Sequence, residues 1–451
     1  MRISKLFLTT IAFASTTFIA CGGDSSSGPP DLEDPNADID SCVDCHSNKD
    51  ALFELHTPDS VIPTGGCSGP PPYYEPYDRV YLDPEGFASF ESSTHGQQEC
   101  TTCHGGVDGT ADKATAHSGT FVKHPSFENL DSCAGCHEDL VTNFENGLHF
   151  NGWGQRNSQI RRAGVESFDQ LHEGIQEGYD QNCSTCHASC GSCHVNRPPA
   201  GGGGLLNGHD FAEPDMRDNC TACHSSRGGH AYYGEAIGTQ PDVHLTSMGY
   251  TCLDCHSVNE MHASTGEIYE YRYQVEALPQ CVNCHTDLET NNLYHSMHYE
   301  DFNCQTCHSQ DYNTCGSCHV AGEGARIHSH LSFKIGLNPL PNEKPYKFTT
   351  VRRTLAAPDS WEQYGVAFLP NFDAKPIYNY TSPHNIQRWT ARTTVEDGAT
   401  CSSSCHIRQD GETWVNRSYY LFSSDFTADW ERSATATVVV DGQLPAGWGT
   451  H

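Results

Sequence analysis

The sequence predicts loops and short α-helices with little regular structure, packed around something other than their own side chains, with a small β-containing C-terminal region. Three observations carry this expectation. The pattern Cys-x-x-Cys-His occurs ten times between residues 42 and 319, which leaves roughly 28 residues for each copy. So short an allotment cannot build a conventional apolar core around every copy. The 41 Gly and 24 Pro suit turns and loops rather than long elements. The last stretch, 331–451, holds only one variant of the pattern, and its segments KPYKFTTVRRTL and SATATVVVDG alternate or are β-branched, as strands are.

The chain opens with two positive charges in Met1–Lys5 and an apolar or small run from Leu6 to Ala20. That run is shorter than the roughly 20 residues a bilayer span needs, so 1–20 reads as an export signal. It ends in Phe18-Ile19-Ala20-Cys21-Gly22-Gly23, which resembles a bacterial lipobox and implies a lipid anchor on Cys21. Cleavage after Ala12-Phe13-Ala14, leaving no anchor, is the alternative. Residues 21–41 then form a flexible tether. A net charge of −32 excludes a nucleic-acid partner, which requires a basic surface.

Export puts the 24 Cys in an oxidising compartment, where disulfides are the usual outcome. The spacing argues otherwise. The pairs are Cys42/Cys45, Cys100/Cys103, Cys133/Cys136, Cys183/Cys186, Cys190/Cys193, Cys220/Cys223, Cys252/Cys255, Cys281/Cys284, Cys304/Cys307 and Cys315/Cys318. Each is followed at once by a histidine: His46, His104, His137, His187, His194, His224, His256, His285, His308 and His319. This is the signature of covalent haem c attachment. Two thiols add to the two porphyrin vinyl groups, and the next residue is delivered beneath the iron as an axial ligand. Neither a disulfide framework nor a structural zinc site, with its four N or S ligands, demands a histidine in that place. Cys401-Ser402-Ser403-Ser404-Cys405-His406 has a wider spacing and is expected to hold an eleventh haem, with a disulfide or free thiols as the alternative. Cys67 has no motif and reads as a free thiol or a link to another chain.

The motifs repeat in two sets of five. CGSCHV at 190–195 recurs at 315–320, CAGCHEDLVTN from Cys133 aligns with CVNCHTDLETN from Cys281, and CSTCH at 183 matches CQTCH at 304. The expected organisation is a first pentahaem half (42–197), a Pro/Gly-rich linker (198–219), a second half (220–330) and the C-terminal region (331–451). Leu140, Phe144 and Leu148, and likewise Phe168, Leu171, His172 and Ile175, have helical spacing. The surface they cover is expected to be porphyrin. CSTCHASCGSCHV, with two residues between motifs, is expected to bring two haems nearly into contact.

Eleven histidines belong to motifs and sixteen remain, enough to give every iron a second imidazole. The candidates are His56, His95, His117, His124, His149, His172, His209, His230, His244, His262, His295, His298, His328, His330 and His384. His149 and His298 occupy matching places in the halves, as do His56 and His230, and His384 is the choice for the eleventh haem. With five Met in all, methionine ligation cannot be general.

On these motifs, over about 42–406, the chain resembles the exported multihaem c-type cytochromes of metal-respiring bacteria, including outer-surface lipoprotein cytochromes and filament-forming ones. The resemblance implies bis-histidine haems, low potentials and electron delivery to acceptors outside the cell, such as metal oxides or another cytochrome. It also implies an electron carrier, not an enzyme, anchored at the outer membrane. Two alternatives stand beside it. One is a reductase of nitrogen or sulfur oxyanions with one open iron. The other is a polymerising subunit in which His451 or His56 ligates a haem of the next chain.

Overall fold

The computed structural model describes residues 39–62, 72–235, 238–311, 322–324, 333–354 and 356–449. The leader, Cys21, Cys67, the motif Cys315–Cys318–His319, and His328, His330 and His451 lie outside the described residues. Among the described residues short helices and turns dominate, and five short strands form two small sheets. No helix there is long and apolar enough to cross a membrane.

Three longer helices follow one another in the middle of the chain. Helix α1 (Asp131–Asn146) is kinked at His137, where the backbone leaves helical geometry. Helix α2 (Trp153–Ala163) ends on Gly164, whose φ of 74° provides the left-handed stop that an L side chain resists. Helix α3 (Glu173–Asn182) is capped by His172, whose Nδ1 accepts from the Gly174 amide at 3.1 Å.

In the C-terminal region, β1 (Lys334–Leu337), β2 (Phe348–Arg353) and β3 (Tyr378–Tyr380) pair antiparallel in that order, with Lys334 opposite Val351 and Val351 opposite Tyr380. A hairpin joins β4 (Arg408–Asp410) to β5 (Thr413–Val415). Segment 433–442 is not the strand its Val and Thr content predicted. Its first residues finish helix α4 (Asp429–Thr435), and Val438 and Val440 then make single bonds to Leu337 and Leu421 instead of a ladder. Both valines are fully buried, so tertiary packing outweighed their β propensity.

A second departure concerns the apolar stripes. Leu171 and Ile175 pack on protein, joining Ile160, Val351, Trp361, Leu369, Phe372 and Val438 in one core that unites α2 and α3 with the C-terminal region. Gly174 and Gly178, one turn apart on α3, make room for it. A Cβ on Gly174 would sit 1.9 Å from the Tyr364 carbonyl oxygen, and one on Gly178 would sit 2.6 Å from the Trp361 ring. Trp361 is 1% exposed and donates from Nε1 to Gln159 at 3.0 Å. Arg162, also buried, stacks on Phe372 at 4.8 Å and donates to Ser158 and the Pro376 carbonyl. Its desolvation lowers its pKa to about 10. Of the other stripe, Phe144 is buried and Leu140 is exposed.

The Pro/Gly-rich segment is packed rather than free. Arg197 donates its amide to the Gly204 carbonyl at 2.8 Å, closing the loop, and Gly208 lies against Phe87 and the Asp83 carbonyl, where a Cβ would come within 2.5 and 2.6 Å.

Candidate functional site

Most of the described motif segments fold as short helical turns. Cys42–Ser47 starts on Ser41, which accepts from the Asp44 amide at 3.1 Å, and Cys190–His194 starts on a capping box of Ser189 and Ser192. Cys100–His104 and Cys304–His308 are α-helical, while Ser184–Cys186, Cys252–Asp254 and Cys281–Asn283 wind more tightly. On such a turn residues three or four apart share a face, so both sulfurs emerge on one side with histidine immediately after. The same rule accommodates the wider pattern, because Cys401 and Cys405 bound a helical turn of their own.

Nine histidine pairs face one another among the described residues. The ring centres are 6.1 Å apart for His46 and His117, 6.2 Å for His137 and His95, and 6.0 Å for His104 and His209. They are 6.1 Å apart for His194 and His262, 6.2 Å for His224 and His149, and 6.2 Å for His256 and His384. The last three are His285 with His244 at 6.0 Å, His308 with His295 at 6.1 Å, and His406 with His298 at 6.1 Å. Each pair contains one motif histidine and one of the others.

The constancy of that distance is informative because the ring angles vary from 22° to 82°. Rings in van der Waals contact approach more closely in some orientations than in others. His95 lies 4.2 Å from Phe211, His117 4.6 Å from Phe121 and His406 4.8 Å from Trp448. Two imidazoles sharing one metal behave differently. Bonds of about 2 Å on either side, with about 1.1 Å from nitrogen to ring centre, hold the centres about 6 Å apart at any rotation. No group of three or more His, Cys, Asp or Glu converges as a bare metal ion would need, among the described residues. Two imidazoles at that separation, with no third ligand converging on them, would suit haem iron, so these residues fit that group.

Several of the other ring nitrogens are held by acceptors. Nδ1 of His46 faces the Val80 carbonyl at 3.0 Å, that of His104 the Val122 carbonyl at 3.0 Å, and that of His194 the Ala212 carbonyl at 2.9 Å. Nδ1 of His117 and His298 meets the carbonyl one turn back. Two rings have carboxylates instead: His256 lies 2.9 Å from both Glu260 oxygens, and His244 lies 2.8 Å from Asp242. Such partners fix the tautomer and leave Nε2 for the metal. Burial lowers His209, His224 and His384 to about 4, which keeps them neutral, the ligating form.

Several thiols are raised by desolvation, Cys42 to about 12 and Cys193 to about 11, whereas Cys220 and Cys281 are lowered to about 7 by hydrogen bonds with Cys252 and Cys304. Their mutual influence also traces a file through the molecule. Cys42 feels Cys100, Cys103 feels Cys133, Cys133 acts on Cys190, and Cys193 feels Cys220. Cys220 reaches Cys252, Cys255 feels Cys281 and Cys284, Cys281 reaches Cys304, and Cys307 feels Cys401 and Cys405. Cys186 joins from the side, at Cys223. The motifs at 183 and 190 both approach the one at 220, since Cys223 feels Cys186 and Cys193, while Cys190 also neighbours Cys133.

The motif cysteines differ in how far the polypeptide encloses them. Cys136 is exposed, and so are Cys186, Cys255, Cys281 and Cys284, whereas the other described motif cysteines are partly buried. For Cys136 the reason is local. The backbone kinks at His137, immediately after it, and the buried residues of α1, Val141 and Phe144, all lie beyond that kink. The turn bearing Cys133 and Cys136 therefore does not share the buried face of the helix it begins. The C-terminal region covers Cys405, whose sulfur lies 3.7 Å from the Tyr420 hydroxyl.

The C-terminal region also braces the ninth motif. Arg392 is 6% exposed and donates from Nε to the Thr306 carbonyl at 2.6 Å and from a terminal nitrogen to that of Ser309 at 2.9 Å. Thr390 donates to the Cys307 carbonyl at 2.7 Å. Sequence reasoning missed these residues, and also Glu260, whose place one helical turn beyond His256 was a readable signal.

Other expected placements differ. His384 faces His256, not His406, whose partner is His298. His172 is exposed and spends Nδ1 on capping α3, because the stripe beside it covers Trp361. His56 packs against Phe53 and Tyr77, His124 caps the turn Pro125–Glu128, and His230 lies 3.9 Å from Glu235. His187 faces Tyr179. No protein-family model, curated protein or solved structure matches the chain.

Proposed function

We propose that the chain is an electron-transfer protein that binds haem c at each Cys-x-x-Cys-His motif and at Cys401–Cys405–His406, mostly between paired histidines. The observation that carries this reading is the set of nine pairs at 6.0–6.2 Å, each joining a motif histidine to a non-motif one. When bound, haem supplies an iron that cycles between ferric and ferrous states and passes single electrons. The nine histidine pairs would hold nine irons, each between two imidazoles, and the polypeptide brings neighbouring motifs close to one another. Because tunnelling falls steeply with distance, a file from Cys42 to Cys401 is a conductor. The leader and Cys21 support an exported, lipid-anchored protein at the outer membrane that exchanges electrons with other cytochromes or with metal acceptors outside the cell.

Intact mass of the mature protein tests the cofactor directly. Eleven haem increments are expected; ten would remove the eleventh site, and zinc in place of haem would overturn the reading.

A second expectation concerns potential. A carboxylate on Nδ1 makes the imidazole a stronger donor and favours ferric iron. Glu260→Gln is therefore expected to raise one midpoint potential, that of the haem on His256, by tens of mV on the order-of-magnitude scale of such outer-shell effects, and to leave the others in place. An EPR-monitored redox titration reads this, and an unchanged set of potentials would remove Glu260 from the role.

A further inference from the structure

The histidine pairs repeat along the chain. His95 with His137 corresponds to His244 with His285, His104 with His209 to His256 with His384, and His149 with His224 to His298 with His406. The corresponding rings differ in what holds them. Nδ1 of His104 faces the Val122 carbonyl at 3.0 Å, whereas that of His256 faces both Glu260 oxygens at 2.9 Å. An acid follows His104 by four residues as well, but this Asp108 accepts from the Cys42 amide at 2.7 Å instead. Asp242, two residues before His244, lies 2.8 Å from Nδ1 of that ring. Two residues before His95 stands Ser93, which donates its hydroxyl to the Phe90 carbonyl at 2.6 Å. Other paired rings meet neutral groups at Nδ1, as His46, His194 and His308 meet backbone carbonyls and His295 meets the side-chain amides of Asn291 and Asn292.

The two carboxylates serve neighbouring sites. Asp242 is 2% exposed, and its second oxygen accepts at 2.6 Å from the amide of Ile386, two residues beyond His384, the partner of His256. Val243 donates its amide to the Ile386 carbonyl at 2.9 Å, and Gln387 donates its side chain to the Pro241 carbonyl at 2.6 Å. The segment that carries His244 is thereby bound to the segment that carries His384. A charge so enclosed is weakly screened. Arg272, whose charge reaches His224 and His384, is exposed and screened accordingly.

Resting on the reading of the motifs as haem sites, we propose that Asp242 and Glu260 are positioning residues that give the haems on Cys281–Cys284 and Cys252–Cys255 the two lowest potentials in the chain, side by side in the file. Each carboxylate makes the imidazole it holds a stronger donor and so favours ferric iron. Electrons passing between the motifs at Cys220 and Cys304 therefore cross two low-potential sites in succession. Each passage oxidises one ferrous iron and reduces the next, with no other reactant. A partly reduced chain keeps its electrons on either side of the pair.

The test uses the full mature chain, its haems counted by mass, in a reductive titration followed by EPR. The last step of the unsubstituted chain is expected to account for two low-spin haems. Glu260→Gln should move one of them to higher potential, Asp242→Asn the other, and the double variant both, with the haem count retained. In a His384→Ala background, where the haem on Cys252 and Cys255 becomes high-spin, Asp242→Asn should still move a low-spin haem. A last step of other than two haems, midpoints unchanged in Asp242→Asn, or a shift confined to haems outside the last step would overturn the proposal. Where Asp242→Asn fails to fold, the last step of the unsubstituted chain and its fall to one haem in Glu260→Gln decide the matter. Absence of haem at every motif would instead overturn the electron-transfer reading.

Discussion

Trp361→Ala is expected to destabilise the protein by about 3–5 kcal/mol and to detach the C-terminal region from α2 and α3, with the haem count unchanged. The indole fills the space that Gly178 leaves open, sits among Ile160, Ile175 and Leu369, and donates to Gln159. Removing it opens a cavity that a glycine-lined helix cannot refill and leaves the Gln159 carbonyl group without its donor. Guanidinium unfolding followed by far-UV circular dichroism should show the shifted midpoint, and limited proteolysis should release fragments from 333–449. Gly178→Ala approaches the same contact from the other side. Its methyl would meet Trp361 at 2.6 Å, and overpacking of this kind costs about 1–3 kcal/mol. A loss under about 1 kcal/mol in both variants would mean that this core does not hold the region in place.

The same core shows where sequence reasoning reached and where it stopped. The motifs were legible because their chemistry is local: two cysteines and a histidine on one helical turn specify themselves. How far each sulfur is enclosed was not legible, since the exposure of Cys136 follows from a kink at His137 that the pattern does not encode. The strand around Phe348–Arg353 was legible because its β-branched residues agree with its burial. The Leu171–Ile175 stripe was legible as a buried face but not as to what covers it. Its spacing is satisfied equally by porphyrin or by Trp361, and Trp361 lies nearly two hundred residues away in sequence. Val438 and Val440 failed for the opposite reason, since their local preference for strand gave way to contacts with Leu337 and Leu421.

Ligand pairing was the least legible feature. A motif histidine is fixed by its cysteines, whereas its partner is fixed only by the path of the chain. His137 draws on His95, upstream of the preceding motif, and His224 reaches back past two motifs to His149. The nearest spare histidine is therefore a poor guide, which is why His384, just upstream of Cys401, suggested the wrong haem. The repeat in the pairing becomes visible only once the rings are placed. It is nevertheless the more physical form of the repeat, because it keeps the ring separation at 6.0–6.2 Å while the intervening loops differ in length.

His384→Ala is expected to convert the haem on Cys252 and Cys255 from low to high spin, and His298→Ala to do so for the haem on Cys401 and Cys405. The rings assign these roles: His384 stands 6.2 Å from His256, and His298 stands 6.1 Å from His406. Loss of a strong imidazole donor should also raise the affected potential by on the order of 0.1 V, a fraction of the range that axial ligands span. Glu260 identifies which haem has changed, since its carboxylate holds His256 and not His406. Adding Glu260→Gln to His384→Ala should shift the potential of the new high-spin haem, whereas adding it to His298→Ala should shift a haem that is still low-spin. EPR-monitored titration of the two double variants separates these results. If Glu260→Gln moved the high-spin haem of the His298→Ala variant instead, the pairing of His384 with His256 would be wrong, and the proximity of Cys220 to Cys252 would no longer suffice to place that haem sixth in the file.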